Sequence, residues 1–209
     1  MVSIFDGAQD QTESVVPSVK TGPRAFLPTF DPSSSIEIRQ YAVTNHTRRP
    51  KRGSLVDRGC NGGIAGSDCV VIYTYPDQAV DVTGIDNHCI NSLPLVDAIA
   101  KSPSNRGDVL VVMRQYALHA ASTRTIHSCT QLEYYRNRVN DVSKKAEGGG
   151  QFIKTLHGYI LPIDIENGLP RLKISPPSAQ DREELPVVIL TSEERWDPTV
   201  MDNTVTDTE

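Results

Sequence analysis

The sequence has no long apolar run. Stretches such as Val109-Leu110-Val111-Val112-Met113 stop at about five residues, far short of what crosses a bilayer, so a membrane-spanning helix is excluded. Aromatic residues are scarce at 6%, and any core must therefore lean on Val, Ile and Leu. Fourteen Gly and fourteen Pro argue against long helices or a coiled coil. The first twenty residues are polar and acidic and lack the basic and apolar halves of a secretory signal. The expected setting is therefore intracellular: cytoplasmic, or nuclear if a basic cluster described below acts as an import signal. The four cysteines, Cys60, Cys69, Cys89 and Cys129, have no paired Cys-Cys hooks of the kind that mark zinc sites, and free thiols are expected. A site built from His88-Cys89 and His127-x-Cys129 is the metal alternative. The reading adopted is no metal and no cofactor.

What is present is a chain of 209 residues with 38% hydrophobic and 22% charged residues, a length that suits one domain with flanking segments. Charge is unevenly spread. Residues 1–52 carry seven Lys and Arg against five Asp and Glu, residues 53–175 carry twelve of each, and residues 176–209 carry two against nine. The neutral middle is the core-forming part. The acidic end would repel nucleic acid and membrane phosphates, and its plain reading is a solvated tail. No basic stretch interleaved with aromatics supports nucleic-acid binding. Three segments are expected: a disordered 1–52 with a basic end, a β domain over 53–175, and an acidic C-terminal tail over 176–209.

Residues 1–35 are rich in Ser, Pro, Thr and Gly without periodicity. Arg48-Arg49-Pro50-Lys51-Arg52 reads as a solvated linker or a nuclear-import cluster. From Gly53 the texture turns to β. Strands are expected at 53–57, at 69–75 and 79–85, more faintly at 89–96, and most strongly at 108–114. A three-stranded meander is expected over 152–156, 158–165 and 169–174, turning at His157-Gly158 and Asn167-Gly168. Ser128 caps the best helix, 128–136. A second helix at 178–185 and a strand at 187–190 lie in the acidic end. About eight short strands and one or two helices favour a small β-barrel or sandwich over a βαβ fold.

The informative stretch is Leu55-Val56-Asp57-Arg58-Gly59-Cys60. Two apolar residues end a strand, a carboxylate follows, and a glycine permits the tight turn that presents it. This resembles the active-site turn of retroviral and retrotransposon aspartic proteases, in which two apolar residues precede Asp, Ser or Thr, and Gly. The order downstream is similar to copia-like retrotransposon polyproteins whose motif reads Asp-Arg-Gly. Thr125-Ile126-His127-Ser128-Cys129-Thr130-Gln131-Leu132 looks like their turn and Gln-Leu helix. Phe152 to Tyr159, Gly168-Leu169-Pro170-Arg171-Leu172 and Arg195-Trp196-Asp197-Pro198-Thr199-Val200 look like their terminal segments. The resemblance covers roughly residues 53–201 and implies a fragment of a longer polyprotein or a decayed open reading frame.

The fold it implies is a small, closed, retropepsin-like β-barrel. The catalytic residue it implies is Asp57, on a turn completed by Arg58 and Gly59. One motif and one lobe make a homodimer obligatory for peptidase chemistry on a polypeptide substrate. Two carboxylates about 3 Å apart then share one proton, one acting as base on water and the other as acid toward the peptide carbonyl. Arg58 replaces a hydroxyl that braces this pair. Pointing inward it would favour both carboxylates ionised; pointing outward it leaves the brace missing. Either way the expected peptidase is feeble or inactive. Two readings stay open beside each other, an endopeptidase processing a polyprotein and a non-catalytic vestigial or interaction module of the same fold. A third is a structural all-β domain unrelated to proteases. Asn61-Gly62-Gly63-Ile64-Ala65-Gly66 fails both phosphate-loop patterns and reads as a loop after the active-site turn, and Gly84 to His88 lies where a flap would sit.

Overall fold

Short β-branched runs separated by turn residues give strands, and the strands join one curled sheet. The structure, a computed structural model, describes residues 53–84 and 86–202; the expectations for residues 1–52 lie outside these. In chain order the elements are β1 (Ser54–Asp57), β2 (Ile64–Ala65), β3 (Val70–Thr83), β4 (Cys89–Ser104), β5 (Gly107–Leu118), β6 (Ile126–Ser128) and α1 (Cys129–Tyr134). They continue with β7 (Arg138–Asn140), β8 (Phe152–Lys154), β9 (Ile160–Glu166), β10 (Leu169–Leu172), α2 (Ala179–Glu184), β11 (Val187–Ile189) and a 3-10 turn at Pro198–Met201. The sheet order is β3-β4-β5-β2-β6-β1-β10-β9-β8-β7, with β11 alongside β5.

Among the described residues the molecule is mainly β with two short helices, but the barrel is open, which corrects the expectation of a closed one. Among the described residues the two terminal strands, β3 and β7, pair only with β4 and β8 and not with each other. The reason lies in β3. Its fourteen residues alternate too little to bury a face, and most of them are exposed. Its apolar residues, Val71, Ile72 and Tyr73 among them, stay exposed and bury nothing against β7.

The core sits inside the curl. Val56 of β1, Val96 and Ala98 of β4, Val109, Val111 and Met113 of β5, Leu132 of α1, Ile153, Leu161 and Leu172 form one buried cluster. β1 is the strand that matters for the site. It runs parallel to β6, with Leu55 opposite Ile126 and Asp57 opposite Ser128. It runs antiparallel to β10 on its other side, with Ser54 opposite Leu172. Both neighbours hold it, so the carboxylate at its end has a fixed position. The β9–β10 turn carries Asn167 at φ 49° and Gly168 at φ 78°, the left-handed pair that a tight two-residue hairpin requires.

Residues after 175 belong in part to this fold. β11 pairs in parallel with β5, and Val188 and Leu190 are fully buried in the main cluster. Ser178 caps α2 through a capping box with Asp181, whose carboxylate also meets Lys101 at 2.7 Å. That ion pair holds the Asp181 carboxyl down at about 2. Leu190→Ala is therefore expected to cost about 2–5 kcal/mol in urea unfolding, the usual cost of emptying a core site. A loss below roughly 0.5 kcal/mol, typical of a surface position, would show that this segment is not part of the core. No helix among the described residues is long and apolar enough to cross a membrane.

Candidate functional site

Asp57 closes β1 and begins a turn. Its Oδ1 accepts the backbone N–H of Gly59 at 2.8 Å, which folds the turn around the carboxylate and leaves that group half-buried. The loop that follows packs closely. A Cβ on Gly63 would lie 2.4 Å from the Tyr116 ring, and one on Gly66 would lie 2.4 Å from the Arg124 backbone. Both positions therefore require glycine for contact, and the loop after the turn is held rather than free.

Arg58 points away from Asp57. Its Nε donates to Asp141 Oδ1 at 2.9 Å, its Nη2 to Glu133 Oε1 at 3.0 Å and to the Val139 carbonyl at 3.1 Å. The hydrogen bond to Glu133 raises the guanidinium pKa further above its ordinary value. Of the two orientations open at the level of sequence, the outward one is found. The guanidinium ties the turn to α1 and to the end of β7, a positioning role, and leaves the Asp57 carboxylate outside the ion pairs of its own chain among the described residues. The Arg58 side chain is 50% exposed, so each ion pair is worth only about 0.2–1 kcal/mol. Arg58→Ala is expected to cost roughly 1 kcal/mol, with a non-additive part in a double-mutant cycle with Glu133→Gln. Full additivity would show that the pair contributes nothing.

Beside the turn lies a cavity of about 460 Å³. Gly59 to Ile64 form one side, Val80 to Thr83 on β3 another, and Leu95, Ala117, Gln115, Trp196 and Pro198 complete it. The β3–β4 hairpin, whose turn is the Gly84 to His88 segment, thus stands over the loop that follows Asp57. Asp81, the one carboxylate on this lining, accepts the Ser92 backbone N–H at 2.8 Å. Cys60 also lines it; its thiol donates to the Gly62 carbonyl at 2.7 Å, and burial pushes its pKa up.

A circuit of hydrogen bonds fixes the far wall. Gln115 lies at φ 57° in β5, and its Oε1 accepts the Trp196 backbone N–H at 2.8 Å. Its Nε2 donates to the Glu193 carbonyl at 3.0 Å and to that of Glu194. The Gln115 carbonyl accepts from Gln131 Nε2 at 3.3 Å, and Gln131 Oε1 accepts the Gly63 N–H at 2.7 Å. Trp196 Nε1 then donates to the Asn61 carbonyl at 2.9 Å. The Tyr134 and Tyr135 rings lie 5.2 and 6.4 Å from the Trp196 ring. The Asp57 turn and the helix capped by Ser128, both legible in the sequence, meet here. Gln115, Glu133, Asp141 and Trp196 join the same site without a local sequence signal that groups them. The signal available was a single tryptophan in an otherwise solvated acidic stretch.

Below the turn, His127 is fully buried. Ser54 Oγ donates to the Leu172 carbonyl at 3.0 Å and therefore accepts from His127 Nε2 at 2.8 Å, while Tyr116 O–H reaches Nδ1 at 3.2 Å. Burial lowers the imidazole pKa to about 3, so the ring is neutral. Ser54 and His127 are inaccessible to any substrate, and their contact is structural. All four cysteines are unpaired. Among the described residues no group of three or more His, Cys, Asp or Glu side chains could hold a metal ion. No protein-family model, no curated protein and no solved structure matches the chain.

Proposed function

We propose that this chain is one half of a retropepsin-like aspartic endopeptidase derived from a copia-like retrotransposon polyprotein, with low peptidase activity as a homodimer. The observation that carries the reading is the setting of Asp57. Its carboxylate ends a strand clamped on both edges, is folded over by the Gly59 N–H, stands clear of Arg58, and lies beside a cavity under a long hairpin. Each copy supplies one such carboxylate, and two copies meeting at a two-fold axis supply the pair. One carboxylate takes a proton from water as the water attacks the peptide carbonyl, and the other gives a proton to the carbonyl oxygen. Arg58 explains why the activity is low. It supplies position without the hydroxyl that would brace the pair.

The test is cleavage of an unstructured polypeptide at mildly acidic pH over a range of protein concentrations. The rate per chain is expected to rise with concentration until dimers saturate. Sedimentation showing a strict monomer at high concentration, together with no cleavage, overturns the peptidase reading. The missing hydroxyl at Arg58 favours a second reading, an interaction module that keeps the fold without the chemistry, and that outcome would select it.

A further inference from the structure

The two ends of the sheet are finished differently. β7, at one end, is three residues long and sets Arg138 over the Phe152 ring; a short strand carrying charge is how natural sheets discourage pairing at an edge. β3, at the other end, is fourteen residues long, and among the described residues it pairs only with β4, so its outer backbone edge has no ladder. Val70-Val71-Ile72-Tyr73-Thr74-Tyr75 carries no charge and no proline, and every residue in it is β-branched or aromatic. Four in succession, Val71 to Thr74, are exposed, so both faces of the strand are open as well as its edge. The stretch is also held in place. Tyr75 O–H donates to Asp97 Oδ1 at 2.8 Å, and the Tyr73 ring meets the Tyr75 ring edge-on at 5.0 Å. Pro76, which has no N–H to donate, and the register shift between Thr74 and Ala79 close it at its far end.

The absence of charge decides the partner. Two-fold pairing of a strand with itself brings like residues close together, so a charged segment repels its own copy. An uncharged segment of β-branched and aromatic residues gains cross-strand contacts instead. The nearest carboxylates lie outside the stretch: Asp68 is turned inward to the Thr125 N–H at 2.8 Å, and Asp77 sits at the register shift. We propose that residues 70–75 of β3 pair antiparallel with the same residues of a second copy, joining two sheets into one across a two-fold axis. Four strands, β4, β5, β2 and β6, stand between β3 and β1 in the sheet, so this surface is distinct from one that brings two Asp57 turns together. The cavity-lining part of β3, Val80 to Thr83, lies beyond Pro76 and is left uncovered. The inference does not depend on the peptidase reading.

Hydrogen exchange of the full chain, read by mass spectrometry, tests it. Exchange of the backbone N–H groups at 70–75 is expected to slow as protein concentration rises, in step with association measured by sedimentation. Ile72 is 50% exposed and near the middle of the stretch, so a charge placed there spares the core and meets its own copy across the axis. Ile72→Lys and Ile72→Glu, each alone, are expected to weaken the association roughly ten-fold or more and to lose the slowing, with the wild-type circular dichroism retained. An equal mixture of the two is expected to restore both, because lysine then faces glutamate. Exchange at 70–75 that is the same at every concentration in the wild-type chain overturns the inference, even where the chain associates through another surface. So does slowing that persists in both variants, or a mixture that restores nothing. Cleavage measured on the same samples keeps the two proposals apart. Concentration-dependent cleavage without protection at 70–75 overturns this inference and leaves the peptidase reading intact. Protection and rescue by the mixture, with no cleavage at any concentration, supports the surface and removes the peptidase.

Discussion

Asp57→Asn is expected to lower peptide cleavage by roughly 10³-fold or more while leaving the fold and the self-association unchanged. The asparagine carbonyl oxygen can still accept the Gly59 N–H, so the turn keeps its closing hydrogen bond. What is lost is the ability to take and give a proton. Because each site needs one carboxylate from each copy, mixing wild-type and Asp57→Asn chains has a distinct signature. A heterodimer holds a single carboxylate and is inactive, so an equal mixture is expected to give about a quarter of its chains in active dimers, from random pairing of two equal populations. Activity falling only in proportion to the wild-type fraction would mean that each chain acts alone. Cleavage equal in wild type and variant would remove Asp57 from the chemistry.

The second large effect concerns acid. His127 is neutral in the folded protein with its pKa lowered to about 3, against about 6.5 in an exposed chain. Between those values the unfolded chain binds a proton that the folded chain refuses, so stability is full above about pH 6.5 and falls as the pH drops toward 3. The slope is about 1.4 kcal/mol per pH unit, which gives roughly 3 kcal/mol lost between pH 7 and 4.5. Asp181, held at about 2 by Lys101, loses its contribution only below about pH 4, while Asp68, whose carboxyl burial pushes up, gains stability on acidification and opposes the histidine slope, so it is the comparison with the variant that reports His127. Urea midpoints measured across that window are expected to show the slope in wild type and to lose it in His127→Gln, which is less stable at pH 7 because Ser54 and Tyr116 lose a fitted partner. An unchanged slope in the variant would assign the acid sensitivity elsewhere. An aspartic peptidase on this scaffold would therefore be pressed from two sides, since its chemistry favours acid and its core does not.

The strands legible in the sequence were those whose neighbours in space impose little. β5 is a continuous apolar run and sits between β4 and β11, as such a run must. The Ser128 cap is a local hydrogen bond to Gln131 N–H and so is visible locally. The expected strands at 69–75 and 79–85 are one long strand, because Pro76 and Asp77 sit at a register shift between Thr74 and Ala79 that bends the strand without ending it. β6, only three residues long, was hidden in the approach to the helix; it is a strand because β1 lies beside it. Of the candidate site, the Asp57 turn showed itself through glycine spacing. Its partners did not, since Gln115, Glu133, Asp141 and Trp196 are drawn together only by the curl of the sheet and the return of the C-terminal segment.

β1 finds both of its neighbours late. Ser54 must wait for Leu172 and Leu55 for Ile126, sequence separations that make closure slow compared with the adjacent hairpins. On a ribosome the β3–β4–β5 meander can form while the strand bearing Asp57 still has no seat. The carboxylate therefore takes its place only after nearly the whole domain has been synthesised.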